Sequence, residues 1–159
     1  SETEVSFFAR STVEDISAVN KNIKPVLNTA TGHLIIKIPN TGFIFRSSLM
    51  QEHFNENYME SHKYPFSSFE GRISEPIDSL GDGAFPVTAV GKLTIHGVTR
   101  NITIQGTLTR RGDEIRLQAV FTVVMTDYNI EVPGIQVNTK EDSEVVSISI
   151  HSILHPFKK

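Results

Sequence analysis

Cysteine is absent from all 159 residues, which excludes disulfides and thiolate chemistry and leaves the redox compartment open. Long hydrophobic runs are absent as well, and nothing approaches the ~20 apolar residues that a membrane-spanning helix needs. Charge of one sign is in short supply. Lys and Arg number 15 against 18 Asp and Glu, a formal net charge of −3, and the basic residues form no cluster interleaved with aromatics, which argues against a nucleic-acid partner. The chain has no Gly-x-Ser-x-Gly elbow, no phosphate-cradling glycine loop and no His-Glu-x-x-His pair, so the parts of a catalytic site are missing. No signal-peptide pattern precedes the polar opening SETEVSFF, so an export signal is expected to have been removed or never to have existed. No internal repeat, low-complexity tract or linker divides the chain, and residues 1–159 read as one domain.

What is present is alternation. In GKLTIHGVTRNITIQGTLTRRGDEIRLQAVFTVVMTD (91–127), Leu93 and Ile95 share a face opposite Lys92 and Thr94, and Ile102 and Ile104 oppose Asn101 and Thr103. Beyond the Gly-Asp turn, Ile115, Leu117, Ala119, Phe121 and Val123 alternate with Arg116, Gln118 and Thr122. In EVVSISIHSILHPF, Val146, Ile148, Ile150 and Leu154 share a face opposite Ser147, Ser149 and His151. Period two interrupted by glycine turns predicts successive antiparallel hairpins. Shorter strands are expected at 5–10, 16–21, 33–39, 42–47, 69–74 and 87–96, about eight strands in all. Such strands bury their apolar faces in a sandwich or in a closed barrel; a barrel of that size is either filled by side chains or holds one small ligand.

One segment reads differently. In LMQEHFNENYMES (49–61), Leu49, Met50, Phe54 and Tyr58 recur at helical spacing, Ser48 with Gln51 fits a capping box, and Pro65 stops the helix. Glu52, Glu56 and Glu60 repeat every fourth residue, and their mutual repulsion predicts a water-facing acidic stripe. The helix is expected to close one end of the β core and to contribute Leu49, Met50 and Phe54 to its wall.

SLMQEHFNENYMESHKYP (48–65), SFEG (68–71) and GKLTIHGVTRNITIQG (91–106) together resemble the YceI-like family of polyisoprenoid-binding proteins. The resemblance runs from about residue 33 to the end. It implies an all-β fold with one short helix, a closed antiparallel eight-stranded lipocalin-like barrel capped by that helix, around an elongated cavity for an isoprenoid. It also implies no catalytic activity and no cofactor apart from a bound isoprenoid lipid or quinone. A periplasmic or secreted location is implied, and, since several members look dimeric, so is a homodimer. The chain departs from the pattern at VSFFARSTVEDISAVNKN, where a Trp-x-x-Asp-x-x-His-Ser pattern is usual, and at FSSF after Pro65.

The candidate cavity lining is Phe7, Phe43, Phe45, Leu49, Met50, Phe54 and Phe69, with Leu93, Ile95, Ile104, Leu117, Phe121, Val123 and Ile148. Periodicity alone leaves open whether these line a cavity or fill a core, and whether Phe7 or Phe8 points inward. Lys92, Arg100, Asp127 and Tyr128 form a candidate polar cluster at a barrel mouth, able to hold a headgroup by charge-assisted hydrogen bonds or to be a plain surface ion pair. His53 and Glu56 stand three apart on the helix, but no second pair of ligands accompanies them, so no metal site is expected. His96 reads as a hairpin-turn residue, Arg111-Gly112-Asp113 as a turn and Asn101-Ile102-Thr103 as strand. The rival reading is a non-catalytic interaction or stress-response module, a solidly packed barrel whose surface binds a protein partner.

Overall fold

The computed structural model describes residues 2–9, 15–130 and 145–155. Arg10, Glu144, Pro156 and Phe157, at the ends of expected strands, lie outside the described residues. Ten strands form one sheet: β1 (Glu2–Ala9), β2 (Ile16–Asn20), β3 (Val26–Leu27), β4 (His33–Pro39), β5 (Ile44–Phe45), β6 (Phe66–Ile73), β7 (Gly83–Ile95), β8 (Val98–Arg111), β9 (Glu114–Val124) and β10 (Val145–Leu154). Their order is β3-β4-β6-β7-β8-β9-β10-β1-β2-β5, and every neighbouring pair is antiparallel.

The expected all-β antiparallel fold with one short helix is present, but the closed eight-stranded barrel is not: the described strands form a ten-stranded, curled half-barrel with two edges, β3 and β5. Both edge strands are two residues long, too short to carry a closing ladder. At β5 the Phe45 N–H donates to Gln51 Oε1 at 3.1 Å, so a helix side chain takes up an edge donor. β3 carries no alternation, and the sequence offered no signal for it.

Curling needs close strand approach. Gly71 on β6 pairs with Gly91 on β7, and a Cβ at Gly91 would lie 2.4 Å from Gly71 Cα. The Phe69 ring folds over the space that Gly71 leaves, with Cζ 2.7 Å from where a Cβ would stand. The FEG tripeptide therefore joins a ring to the hollow that receives it.

Period two then sets the faces. On β8, Ile102, Ile104 and Leu108 turn inward while Asn101, Thr103 and Gln105 are exposed; on β9, Ile115 and Leu117 are buried and Arg116 and Gln118 exposed. Phe7 is the inward member of its pair, opposite Ile148, whereas Phe8 is exposed.

The helix α1 (Ser48–His53) continues as a π-helical turn, Phe54–Tyr58, with Met59 N–H bonded to Phe54 O. Its cap is Ser47, not the expected Ser48: the Ser47 hydroxyl accepts from Met50 N–H at 3.3 Å. Gln51 does not reach back to complete a capping box, being engaged with Phe45. Glu60, in the left-handed region at φ 50°, ends the segment.

Candidate functional site: a two-chambered apolar cavity

The concave side of the sheet encloses two adjoining cavities of about 90 and 130 Å³. Val5, Ile38, Leu93, Phe121 and Ile148 stand in the walls of both and form the waist between them. Phe69, Ile104 and Leu117 line the smaller chamber, and Phe7, Phe43, Phe54, Ile95 and Val123 the larger. The described interior is thus not filled solid.

Three candidate lining residues lie elsewhere. Leu49 is corrected outright: it is 63% exposed, because the α1 residues that turn toward the sheet are Met50 and Phe54. Met50 and Phe45 pack behind the wall rather than in it. Phe45 meets Phe54 at 5.0 Å between ring centroids, and Phe54 stacks on Phe7 at 5.5 Å and meets Phe43 edge-on at 5.7 Å. This four-ring cluster closes the helix end of the larger chamber.

Sequence reading missed other wall residues. Leu34, Ile36 and Ile38 obey the same alternation in HLIIKIP and were legible there. Met59, Met125, Tyr128 and Ile130 sit in helical turns and loops, where no period marks an inward face.

Polar groups at the walls are mostly paired internally. Thr3 and Ser152 share a hydroxyl hydrogen bond of 2.7 Å beside the smaller chamber. Beside the larger one, Ser67 donates to Asn40 Oδ1 at 2.7 Å and Asn40 Nδ2 donates to Tyr64 O at 2.7 Å. The walls therefore offer almost purely apolar contact, which suits a hydrocarbon chain.

The expected polar cluster is partly assembled. Arg100 Nη1 and Asp127 Oδ1 stand 3.9 Å apart, both about half exposed. Lys92 is corrected: it lies on the outer face of β7, where odd-numbered residues such as Leu93 turn inward and even ones outward. Tyr128 is only 2% exposed and belongs to the cavity wall, not the surface. Burial pushes its phenol above the ordinary tyrosine range.

His96 fastens the helix end. With Gly97 it forms a two-residue hairpin turn, both with positive φ, and a Cβ at Gly97 would lie 2.6 Å from the Tyr64 ring. His96 Nε2 is 2.9 Å from Glu60 Oε1, and Nδ1 is 3.1 Å from Tyr128 O. Glu60 also pairs with Lys63 at 3.3 Å. Glu60 thus leaves the expected water-facing stripe; Glu52 and Glu56 remain exposed on it. The His96 hydrogen bond, then Lys63, holds the Glu60 carboxyl below its ordinary 4.5. A carboxyl depressed by folding stabilises above 4.5, and that stability is lost as pH falls through its lower folded value. Glu60→Gln should accordingly flatten the decline of Tm with acidification below about pH 4.5, compared with the parent chain. An unchanged acid limb would show that the contact does not persist in solution.

No metal site emerges among the described residues: no group of three or more His, Asp or Glu converges. His53 Nδ1 instead meets Asn57 Nδ2 at 2.9 Å. No described helix is long and apolar enough to cross a membrane.

A curled antiparallel sheet around a divided apolar hollow defines a barrel-like cavity protein. The YceI-like domain matches residues 1–152, and the chain belongs to that family. Its fold is similar to BcnA of Burkholderia cenocepacia, with a TM-score of 0.79 at 17% identity over 96% of both chains. It is also similar to a polyisoprenoid-binding domain from Saccharophagus degradans implicated in plant cell wall breakdown, with a TM-score of 0.82 at 16% identity over 97% of this chain and 94% of that one. A UPF0312 protein of Pseudomonas putida is 31% identical over 84 residues, 49% of this chain and 41% of that protein, so the match spans less than half of the relative.

Proposed function

We propose that the protein binds a hydrophobic isoprenoid, a quinone or polyprenyl compound, within the two-chambered cavity, and that it holds or carries this lipid without chemically changing it. The observation that carries the reading is that Leu93, Phe121 and Ile148 stand in the walls of both apolar chambers, so that the two hollows lie end to end with only these side chains between them. A branched chain fits such a path because each buried methylene contributes roughly 0.8 kcal/mol with no polar contact required. The polyisoprenoid-binding neighbour from Saccharophagus degradans agrees with this ligand class. Arg100 and Asp127 are the groups placed to meet a headgroup. The unfilled interior favours a carrier over a solidly packed interaction module. The family resemblance is what supports a periplasmic or secreted location and a homodimer as parts of this proposal.

Native mass spectrometry of the purified protein, followed by organic extraction, tests the reading. A stoichiometric isoprenoid mass is the expected result. An apo mass that stays unshifted after incubation with quinones and polyprenols would dismiss the carrier role.

A further inference from the structure

The ladder between β8 and β9 is incomplete. It runs from Arg111↔Glu114 to Gly106↔Ala119 and stops. Continued in register, it would set Ile104 opposite Phe121 and Ile102 opposite Val123, yet no such pairs form. Both strands are otherwise fully held: β8 pairs with β7 as far as Ile95↔Val98, and β9 with β10 as far as Val145↔Val124. The sheet is therefore split in its middle, not frayed at an edge.

Four observations give the split a use. Its lips carry cavity residues, since Ile104 lines the smaller chamber, Val123 the larger and Phe121 both. Val120, on the outside of one lip, is 67% exposed, the most exposed large hydrophobic side chain among the described residues. The one described ion pair across the gap is Arg100–Asp127, long at 3.9 Å and half in water, a contact worth little and easily parted. Both ends of the hollow, by contrast, are fastened. The helix end has the four-phenylalanine cluster and His96 tied to Glu60 and Tyr128. At the far end Arg110 Nη1 donates to Ile77 O at 2.9 Å and Leu80 O at 3.0 Å, over the fully buried Ile77 and Leu108.

We infer that an apolar chain passes into and out of the cavity sideways, between β8 and β9, with Arg100–Asp127 as the clasp across this side mouth. The inference rests on the cavity reading above. Parting the lips breaks no ladder hydrogen bond, whereas opening either end breaks part-buried hydrogen bonds and, at the helix end, ring contacts as well. The side route is the lower barrier.

Because the chain has no cysteine, two introduced thiols can be joined selectively. Thr103→Cys with Thr122→Cys places them on the outer, exposed side of the two lips, at positions that a continued ladder would set opposite each other, and away from the cavity wall. Dibromobimane, which becomes fluorescent on linking two thiols, ties the lips; N-ethylmaleimide on the same variant leaves them untied. Thr109→Cys with Arg116→Cys, a pair already in the ladder, is the second control. The probe is N-phenyl-1-naphthylamine, followed by stopped-flow fluorescence. Tying the lips should slow uptake and release by about tenfold or more at nearly unchanged Kd, while both controls keep parental rates, as expected of a change in access rather than in affinity. Unaltered rates in the tied protein, with binding intact, would overturn the side mouth and leave the cavity reading standing. Absence of probe binding in the parent chain would overturn both.

Discussion

Ile148→Trp should abolish most of the affinity for an apolar chain while the protein still folds. Ile148 stands in the walls of both chambers, on β10 opposite Phe121 on β9 and Phe7 on β1. A larger ring there occupies the waist. If it displaces one branched five-carbon unit, the loss is about 4 kcal/mol at roughly 0.8 kcal/mol per methylene, about a thousandfold in Kd. The substitution itself is expected to cost about 1–3 kcal/mol through overpacking, less where the ring settles into open space. Fluorescence titration with an apolar probe, set beside a thermal melt, separates the two effects. Retained affinity in a folded variant would place the ligand elsewhere than the waist.

Phe54→Ala should be the most destabilising single truncation of the helical segment, at about 3–5 kcal/mol. Phe54 is buried and touches Phe7, Phe43 and Phe45, so its removal takes a partner from each of three rings and leaves only the contacts of Phe7 with the other two. For a domain of this size that is a fall in Tm of roughly 6–20 °C. Leu49→Ala, five residues away, should stay within about 0.5 kcal/mol of the parent, because an exposed side chain gives up little. Equal losses at the two positions, in the same chemical denaturation series, would contradict the placement of the helix.

The strands were legible because period two is a property of side-chain direction. Leu117, Phe121 and Val123 had to share a face, and the cavity followed once that face curled inward. Leu49 was not legible: a six-residue α1 running into a π-helical turn obeys neither 3.6 nor 3.5 periodicity for long enough to define a stripe. Lys92 failed for a different reason. Alternation had already set Lys92 on the face opposite Leu93, but a short local pattern does not say which groups of neighbouring strands meet at a mouth, and Lys92 does not join Arg100 and Asp127 there. Tyr128 and Met125 turn inward because the loop after β9 folds over the hollow, a tertiary event without a local pattern. The split between β8 and β9 left no trace either, since Ile102 and Ile104 keep alternating past Gly106 whether or not a neighbouring strand is bonded to them. Membership of the YceI-like family, by contrast, could be read from the helical segment, the SFEG stretch and the hairpin motif together, the last two of which carry the FEG hollow and the Gly97 turn.

The pairing of β1 with β10 sets Glu2–Ala9 against residues 146–153. Strand β2, and through it β5, joins the rest of the sheet only by way of β1. Joining these distant segments closes a very long loop before any reward is gained, and chains dominated by such pairings fold slowly. At ribosomal speeds of about 5–20 residues per second, the amino-terminal strand waits on the order of ten seconds for its neighbour to be made. Until then the edge of β1 that β10 will cover stays unpaired, so this is the interval in which a holding chaperone would find most to bind.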